Sequence, residues 1–186
     1  MDNKFHDLLK QVLGQNDFEV ILNWLMDSDF FTAPASTKYH GSHEGGLAEH
    51  SFKVYELLKK KNECYDLGLT KREVVVAGLL HDVCKIDFYK KEKRWRKTDG
   101  QWESYEVWGI KDKEPLGHGE KSVILLQQLI KLSETAIFLI RWHMGPFSSL
   151  TGSSGVPLAY YDAVRKCPAI VAMFTADYES STFLEE

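Results

Sequence analysis

The segment VVVAGLLHDVCK, residues 74–85, decides the fold. Apolar residues occupy nearly every position around it, which is typical of a helix buried on all sides. Just before it, Thr70 and Glu73 have the spacing of a capping box, so we expect the helix to begin there. The adjacent pair His81-Asp82 falls at its C-terminal end. Polar groups in so apolar a segment need partners, which the rest of the chain must supply.

Helices are expected on both sides of this segment. Apolar residues repeat at helical spacing in two N-terminal stretches, and again after a stretch rich in Gly, Ser and His at 36–46. The same spacing returns four times in the C-terminal half. The predicted helices are 3–13, 18–27, 47–61, 70–83, 119–131, 133–143, 158–165 and 168–183.

Residues 88–110 break the helical pattern. Two aromatic-rich, alternating runs, KKEKRWRK and QWESYEVW, flank Thr98-Asp99-Gly100, and Asp-Gly in that position predicts a β-hairpin. The first run has six basic residues, and the second has Trp102, Tyr105 and Trp108. The hairpin is either a platform for a base or for single-stranded nucleic acid, or a solvated flap whose aromatic residues cover one another and the domain. We prefer the flap.

The composition predicts one globular domain over residues 1–186, with helices in 1–30 and the hairpin inserted at 88–110. The chain has 44% apolar and 27% charged residues, enough for a single core. A net charge of −4 argues against a surface built throughout for nucleic acid. Three cysteines without a CxxC pattern argue against disulfides and zinc fingers. No apolar run fits a signal peptide or a membrane span, so we expect a cytoplasmic, all-α protein with a small hairpin and a loop at 145–157.

Five predicted helices each place one histidine or aspartate on an apolar face. Buried carboxylates persist only when they are paired, hydrogen-bonded or bound to a cation. Imidazole and carboxylate together suit Mn, Fe, Ni, Co or Zn. The sequence therefore predicts a site for divalent metal. The expected ligands are His50, His81, Asp82, His118, His143 and Asp177.

The position of the His81-Asp82 pair restricts how the two side chains can reach one metal ion. Neighbours on a helix point about 100° apart, so both can reach one ion only where the helix ends or the ion lies close to the backbone. Asp82 has two oxygens and can bridge two ions. Lys85, three residues beyond Asp82, can hold an anionic substrate such as a phosphate. It fits equally as a cation that interacts with the helix dipole, and both interpretations stay open.

The order of these residues resembles the H…HD…H…H…D signature of the HD-domain superfamily of metal-dependent phosphohydrolases. The strings GGLAEHS, GLLHDVCK, LGHGEKS and RWHMG resemble a bacterial and phage-associated subgroup, and the similarity covers about residues 36–180. The resemblance implies a helical bundle that binds two metal ions, with Asp82 bridging them. One ion would be held by His50, His81, Asp82 and Asp177, and the other by His118, His143 and Asp82.

The resemblance also bears on four neighbouring residues. Lys85 matches the lysine of an HDxxK variant, and His40 matches a histidine of exoribonuclease-type HD domains that lies beside the site. Both are therefore candidates for substrate binding. Asp162 is a rival of Asp177, but we expect it to face solvent on a short helix. Cys84 is expected to be inert packing.

The implied function is hydrolysis of a nucleotide or of another phosphate mono- or diester. An oligonucleotide is also a candidate substrate. A metal-activated water would attack phosphorus, with Asp82 and Lys85 as catalytic residues and Fe, Mn, Ni, Co, Zn or Mg as the metal. Two alternatives have the same ligands: a di-iron oxygenase of the HD type and a non-catalytic nucleotide-binding sensor. The order of residues does not separate these three functions, and it leaves the oligomeric state open.

Overall fold

The structure is a computed structural model that describes residues 2–146 and 158–184. The chain is mostly helical with one two-stranded antiparallel hairpin, so "all-α" slightly overstates its helical character. Among the described residues, no helix is both long and apolar enough to cross a membrane. In chain order the elements are α1 (Asp2–Val12), α2 (Gln15–Asp27), α3 (Gly46–Tyr65), α4 (Lys71–Leu80), β1 (Tyr89–Thr98), β2 (Gln101–Ile110), α5 (His118–Gln127), α6 (Glu134–Arg141), α7 (Leu158–Lys166) and α8 (Ala169–Glu179).

Helix α4 lies at the centre of the molecule. Residues 74–80 are all buried, and α4 contacts α1, α3 and α6. Full burial of each valine or leucine contributes about 1.5–3 kcal/mol, so this helix anchors the core. Its N-terminus has the predicted capping box, because Thr70 Oγ1 accepts from the Glu73 N–H and the Glu73 carboxylate accepts from the Thr70 N–H. The buried helix is confirmed.

The C-terminal end of α4 differs from the prediction. The helix ends at Leu80, and the predicted helix 70–83 was too long. Asp82 leaves helical geometry with φ −108° and ψ 19°, after which Val83–Lys85 form a short 3₁₀ helix. The pair His81-Asp82 therefore lies where the helix ends, and the tighter turn that follows places Lys85 close to Asp82.

Helices α3 and α4 approach each other closely at Gly78. A Cβ added to Gly78 would lie 2.6 Å from Tyr55 Cα, so a larger residue does not fit without moving α3. Helix α3 also packs against α8. These two contacts bring together three helices. Helices α3 and α8 each contain one of the predicted ligands, and His81 follows α4 directly.

The two N-terminal helices cover one side of this core. Predicted at 3–13 and 18–27, they are observed at 2–12 and 15–27. Phe5 and Leu9 of α1 and Ile21 and Leu25 of α2 have no exposed surface. Helix α1 also contacts α4, so the N-terminal segment is part of the same hydrophobic core.

The hairpin is confirmed at the predicted position. Strands β1 and β2 pair from Tyr89 opposite Ile110 to Thr98 opposite Gln101. Asp99 and Gly100 have φ values of 51° and 84°, and two positive φ values are what a type I′ turn requires. Beyond its base, the hairpin is exposed to solvent.

Three C-terminal helices, α5, α6 and α8, end before the residues that their periodicity predicted, whereas α7 extends one residue beyond its predicted end. Helix α5 ends at Gln127, whose side chain accepts from the Leu132 N–H and so closes the following turn. Helix α6 ends at Arg141, because Trp142 has φ −109° and ψ 17°, and Gly145 then has φ 62°. Helix α8 ends at Glu179 and continues as a π-helical turn, Ser180–Leu184. Most of the predicted loop 145–157 lies outside the described residues.

Candidate metal centre

Three helices bring a first group of donors together. His50 belongs to α3, His81 follows α4 directly, and Asp177 belongs to α8. His50 Nε2 lies 3.1 Å from Asp177 Oδ1 and 3.3 Å from His81 Nε2. Both histidines are fully buried, and the Asp177 side chain is 13% exposed. Residues far apart in sequence thus converge on one buried point.

Two histidines bond the backbone through one ring nitrogen. His81 Nδ1 lies 3.0 Å from the Gly78 carbonyl, and His143 Nδ1 lies 2.7 Å from the Ile140 carbonyl. A carbonyl only accepts, so Nδ1 is the donor in both rings, and Nε2 keeps a lone pair whenever the ring is neutral. Each bond reaches back three residues. The ends of α4 and α6 therefore orient both rings with Nε2 towards the cluster.

The Asp82 carboxylate divides its two oxygens between neighbouring groups. Oδ2 lies 3.6 Å from His81 Nε2 and 3.8 Å from His50 Nε2. Oδ1 lies 3.4 Å from His143 Nε2. Asp82 therefore faces different nitrogens through different oxygens, as a bridging carboxylate does.

Lys85 lies inside the site. Its ammonium lies 2.7 Å from Asp82 Oδ2 and donates to the Ala35 carbonyl at 2.8 Å. The Tyr89 hydroxyl donates to the same carbonyl at 3.1 Å. Lys85 is buried and belongs to the short 3₁₀ helix that follows α4, so its position is compatible with both interpretations. Its charge is directed at the Asp82 carboxylate.

His118 and Cys84 form the edge of the site. His118 is the first residue of α5 and is exposed, while Cys84 is buried. Cys84 Sγ lies 3.4 Å from His118 Nδ1 and 3.7 Å from Asp82 Oδ1. Burial and the nearby Asp82 charge raise the pKa of the Cys84 thiol, so at neutral pH it stays protonated. Sequence reasoning treated Cys84 as packing and missed this contact.

The surroundings shift the pKa values of the cluster in opposite directions. Burial alone would raise the pKa of Asp177, but the His50 hydrogen bond and the charge of nearby histidines lower it to about 2. Burial opposes ionisation of Asp82 too, yet the Lys85 charge holds its pKa well below the usual range. Burial lowers the pKa of His81 to about 4. At neutral pH the carboxylates are therefore charged and His81 is neutral, which are the protonation states that metal binding requires.

A cavity of about 230 Å³ opens beside the cluster. Its lining includes the charged residues Asp82, Lys85 and Asp177, and Met144 and Phe174 contribute apolar surface. His40 also lines the cavity, with its ring centroid 5.2 Å from that of His50. The structure thus places His40 and Lys85, the two predicted substrate-binding residues, at one cavity.

These donors fit a divalent cation. His81 Nε2 and His50 Nε2 face each other at 3.3 Å, a distance at which only one of them can carry a proton. The buried Nε2 of His143 makes no hydrogen bond to any residue in the described ranges. Lone pairs that converge in this way suit a cation. Three overlapping groups could hold one: His50, His81 and Asp177; His81, Asp82 and His143; and Asp82, Cys84 and His118.

The three donor groups divide the predicted ligands differently from the two ion sites that the family resemblance implies. All six lie in these three groups, but His143 is grouped with His81 and Asp82, and His118 with Cys84 and Asp82. Asp162, the rival of Asp177, is exposed and bonds Arg165 at 2.8 Å. A further contact was not predicted: Ser180 Oγ lies 3.5 Å from His50 Nδ1. Ser180 follows α8, and no sequence pattern singles it out.

Comparison with known families shows which family this chain belongs to. The model of the HD domain matches residues 47–180, which is most of the chain and includes all six predicted ligands. The chain belongs to the HD-domain family. Helices α3 to α8 of this HD domain fall within the match, and α1 and α2 precede it.

One curated relative is similar to part of this HD domain. It is dihydroneopterin 2',3'-cyclic phosphate phosphodiesterase of Methanocaldococcus jannaschii, 32% identical over 82 residues. The match covers 42% of this chain and 31% of the relative, so the chain corresponds to about a third of that protein's length. No solved structure matches the chain.

Proposed function

We propose that this HD domain is a metal-dependent phosphohydrolase that cleaves a nucleotide or another phosphate ester. Membership of the HD-domain family and similarity to a phosphodiesterase support this class of reaction. The proposed metal ligands are His50, His81, Asp82, His118, His143 and Asp177, in the groups that the geometry provides.

The position of Asp82 is the single observation that carries the proposal. Its carboxylate belongs to two of the three donor groups. Oδ2 faces His81, whereas Oδ1 lies 3.4 Å from His143 and 3.7 Å from Cys84 Sγ. A shared carboxylate can hold two ions close enough to act on one phosphoryl group. When bound, divalent cations supply an activated water and stabilise charge that develops on the phosphoryl oxygens.

Lys85 and the cavity are proposed to bind the phosphate. The cavity is lined by three charged groups and by apolar side chains. With a volume of about 230 Å³, it is smaller than the roughly 300–1,000 Å³ of typical ligand pockets. It therefore suits the phosphate-bearing end of a substrate, and Lys85 would neutralise that end while it stays paired with Asp82.

Metal analysis followed by a substrate panel tests the proposal. We expect stoichiometric divalent metal in the purified protein and turnover of one phosphate ester from a panel of nucleotides, cyclic nucleotides and oligonucleotides, with Mn, Co, Ni or Mg. His81→Ala and Asp82→Ala should lose both metal and turnover. His43→Ala is the matched control, because His43 is an exposed histidine whose Nε2 bonds Glu49 at 3.2 Å.

Three results would overturn the proposal. Iron-dependent consumption of oxygen without release of phosphate would favour an oxygenase. Tight nucleotide binding without turnover in any of the metals would favour a sensor. Full metal content in the His81→Ala and Asp82→Ala proteins would remove the proposed ligand set.

A further inference from the structure

The two faces of the hairpin differ in composition. Side chains alternate along a strand, and directly opposed residues of the two strands share a face. The tryptophan face, defined by the observed register, comprises Tyr89, Lys91, Lys93, Trp95, Lys97, Trp102, Ser104, Glu106, Trp108 and Ile110. The opposite face comprises Lys90, Glu92, Arg94, Arg96, Thr98, Gln101, Glu103, Tyr105, Val107 and Gly109.

Positive charge is less balanced on the tryptophan face. It has three lysines and one acid, Glu106, whereas the opposite face has three basic and two acidic residues. Arg94 lies 3.7 Å from Glu92, and Arg96 lies 3.7 Å from Glu103. In the part of the chain that the structure describes, the three lysines of the tryptophan face form no ion pair. This face therefore attracts anions more strongly than the other.

Two large aromatic rings on the tryptophan face are open to solvent. Trp95 is 63% exposed and Trp102 is 67% exposed. Within the described ranges neither ring contacts another ring, so they do not cover each other as a solvated flap would require. Trp108, nearer the base, is half-buried with Lys91 Nζ 5.3 Å from its ring. Flat rings next to unpaired lysines match the alternation of bases and phosphates in a single strand.

The tryptophan face begins at the candidate metal centre. Tyr89 is its first residue, and the Tyr89 hydroxyl shares the Ala35 carbonyl with Lys85. Lys85 in turn bonds Asp82 at 2.7 Å. From Tyr89 to Trp95 the strand rises about 20 Å, the length of a short oligonucleotide segment. The first residue of this face therefore lies next to Lys85, which lines the cavity.

We propose that the tryptophan face binds the single-stranded part of an oligonucleotide whose phosphate end occupies the cavity. The inference rests on the proposed function, because it names the substrate class of that site. Trp95 and Trp102 stack on bases, and Lys91, Lys93 and Lys97 contact phosphates. The small cavity fits this assignment, since most of such a substrate lies outside it.

Binding of labelled oligonucleotides tests the stacking step without any turnover. The probes are a fluorescein-labelled single strand of about 12 nucleotides and the same sequence as a duplex. The variant is Trp95→Thr/Trp102→Thr, which replaces the two rings by β-branched residues that also favour strands. We expect the natural protein to prefer the single strand and the variant to bind it roughly tenfold or more weakly. Tyr105→Thr, on the opposite face, is the matched control and should bind as the natural protein does.

The salt dependence of binding tests the lysines. Each phosphate contact on a single strand contributes about −0.7 to the slope of log K against log salt. Lys91→Gln/Lys93→Gln/Lys97→Gln should therefore make the slope shallower by about two. Lys90→Gln/Arg94→Gln/Arg96→Gln removes the same charge from the opposite face and should change the slope much less.

Several outcomes would overturn the inference. The first two are unchanged binding in the tryptophan variant and equal binding of duplex and single strand. The third is that heparin, which has charge but no bases, competes as well as an unlabelled single strand does. The fourth is stronger binding to anionic lipid vesicles than to the single strand. Turnover of a small phosphate ester separates this inference from the proposed function. If small esters are cleaved and no single strand binds, the inference alone is wrong; if single strands bind and no ester is cleaved, the proposed function alone is wrong.

Discussion

At the scale of single residues, the backbone decides which histidine nitrogen faces the cluster. His81 and His143 each donate from Nδ1 to the carbonyl three residues earlier, at 3.0 Å and 2.7 Å. Such bonds fix the tautomer and raise the basicity of the other nitrogen. Both residues follow the last turn of a helix, where carbonyls lack helical partners. The helix ends thus orient the rings as well as place them.

Replacement of His143 should remove a ligand without removing the helix before it. We expect His143→Gln to weaken metal binding by more than the roughly 10–100-fold typical of changes in groups that only support ligands. The measurement is metal affinity by competition with a chelating dye. His43→Gln, at an exposed histidine, should bind metal like the natural protein. Equal affinities for the two variants would contradict a ligand role for His143.

The buried, neutral His81 should make the metal-free protein sensitive to acid. Burial lowers the pKa of His81 to about 4 from an ordinary value of 6.5. Between these values the unfolded chain takes up a proton that the folded chain excludes, so this contribution to stability is present above pH 6.5 and is lost as the pH falls to 4. A shift of this size corresponds to roughly 3 kcal/mol.

Urea unfolding with excess chelator measures this effect. The difference in unfolding free energy between the natural protein and His81→Asn should shrink as the pH falls from 6.5 to 4. The pKa of Asp177 is lowered to about 2, so its contribution to the free energy of unfolding is lost only below this pH range. His143 does not obscure the comparison, because Asp82 raises its pKa despite burial and both proteins contain it. A difference independent of pH would show that His81 is not held neutral.

At the scale of elements, the contact between α3 and α4 positions His50 against His81. Gly78 lies one turn before His81, and a Cβ there would lie 2.6 Å from the Tyr55 Cα of α3. The obstacle is backbone, which cannot rotate away as a side chain can. The absence of a side chain at Gly78 therefore sets the spacing of two proposed ligands.

Replacement of Gly78 should damage both stability and metal binding. Alanine favours a helix over glycine by roughly 1 kcal/mol, but overpacking of a core typically costs about 1–3 kcal/mol. We therefore expect Gly78→Ala to unfold at a lower temperature and to bind metal more weakly, as measured by calorimetry and metal titration. Gly14→Ala is the control, because no atom lies within 4 Å of an added Cβ there. A Gly78→Ala protein with natural metal affinity would show that α3 can shift without moving His50.

At the scale of the whole molecule, the candidate metal centre links segments from across the chain. His50 and Asp177 belong to α3 and α8, and His81 directly follows α4. His118 begins α5, and His143 lies just after the end of α6. Bound metal should therefore stabilise the folded protein as a unit, because the unfolded chain does not hold these donors together. Stabilisation at a hundredfold excess over Kd is about 2.7 kcal/mol.

Metal removal should lower the melting temperature. For a domain of this size, about 2.7 kcal/mol corresponds to roughly 5–10 °C in Tm. Calorimetry with a chelator, then with metal restored, measures the shift. Asp82→Asn is the comparison, because loss of the shared carboxylate should abolish the response to metal. Identical Tm values with and without metal in the natural protein would contradict the proposed site.

Local patterns in the sequence determined the kinds of element and most of their positions. Periodicity, the capping box at Thr70 and the Asp99-Gly100 turn depend on neighbouring residues, so they are readable without a structure. The same patterns overran the ends of α4, α5 and α6, because a helix ends where backbone angles change and apolar spacing continues past that point. The order of histidines and aspartates likewise indicated a metal site.

Only the tertiary structure decided which of those residues meet. Lys85 bonds Asp82 inside the site, Cys84 lies against His118, and His143 is grouped with His81. It also left Trp95 and Trp102 open on one face of the hairpin. The physical reason is that the distance between two helices depends on how closely their backbones pack, as at Gly78. The sequence pattern of one helix does not indicate the shape of the helix that packs against it.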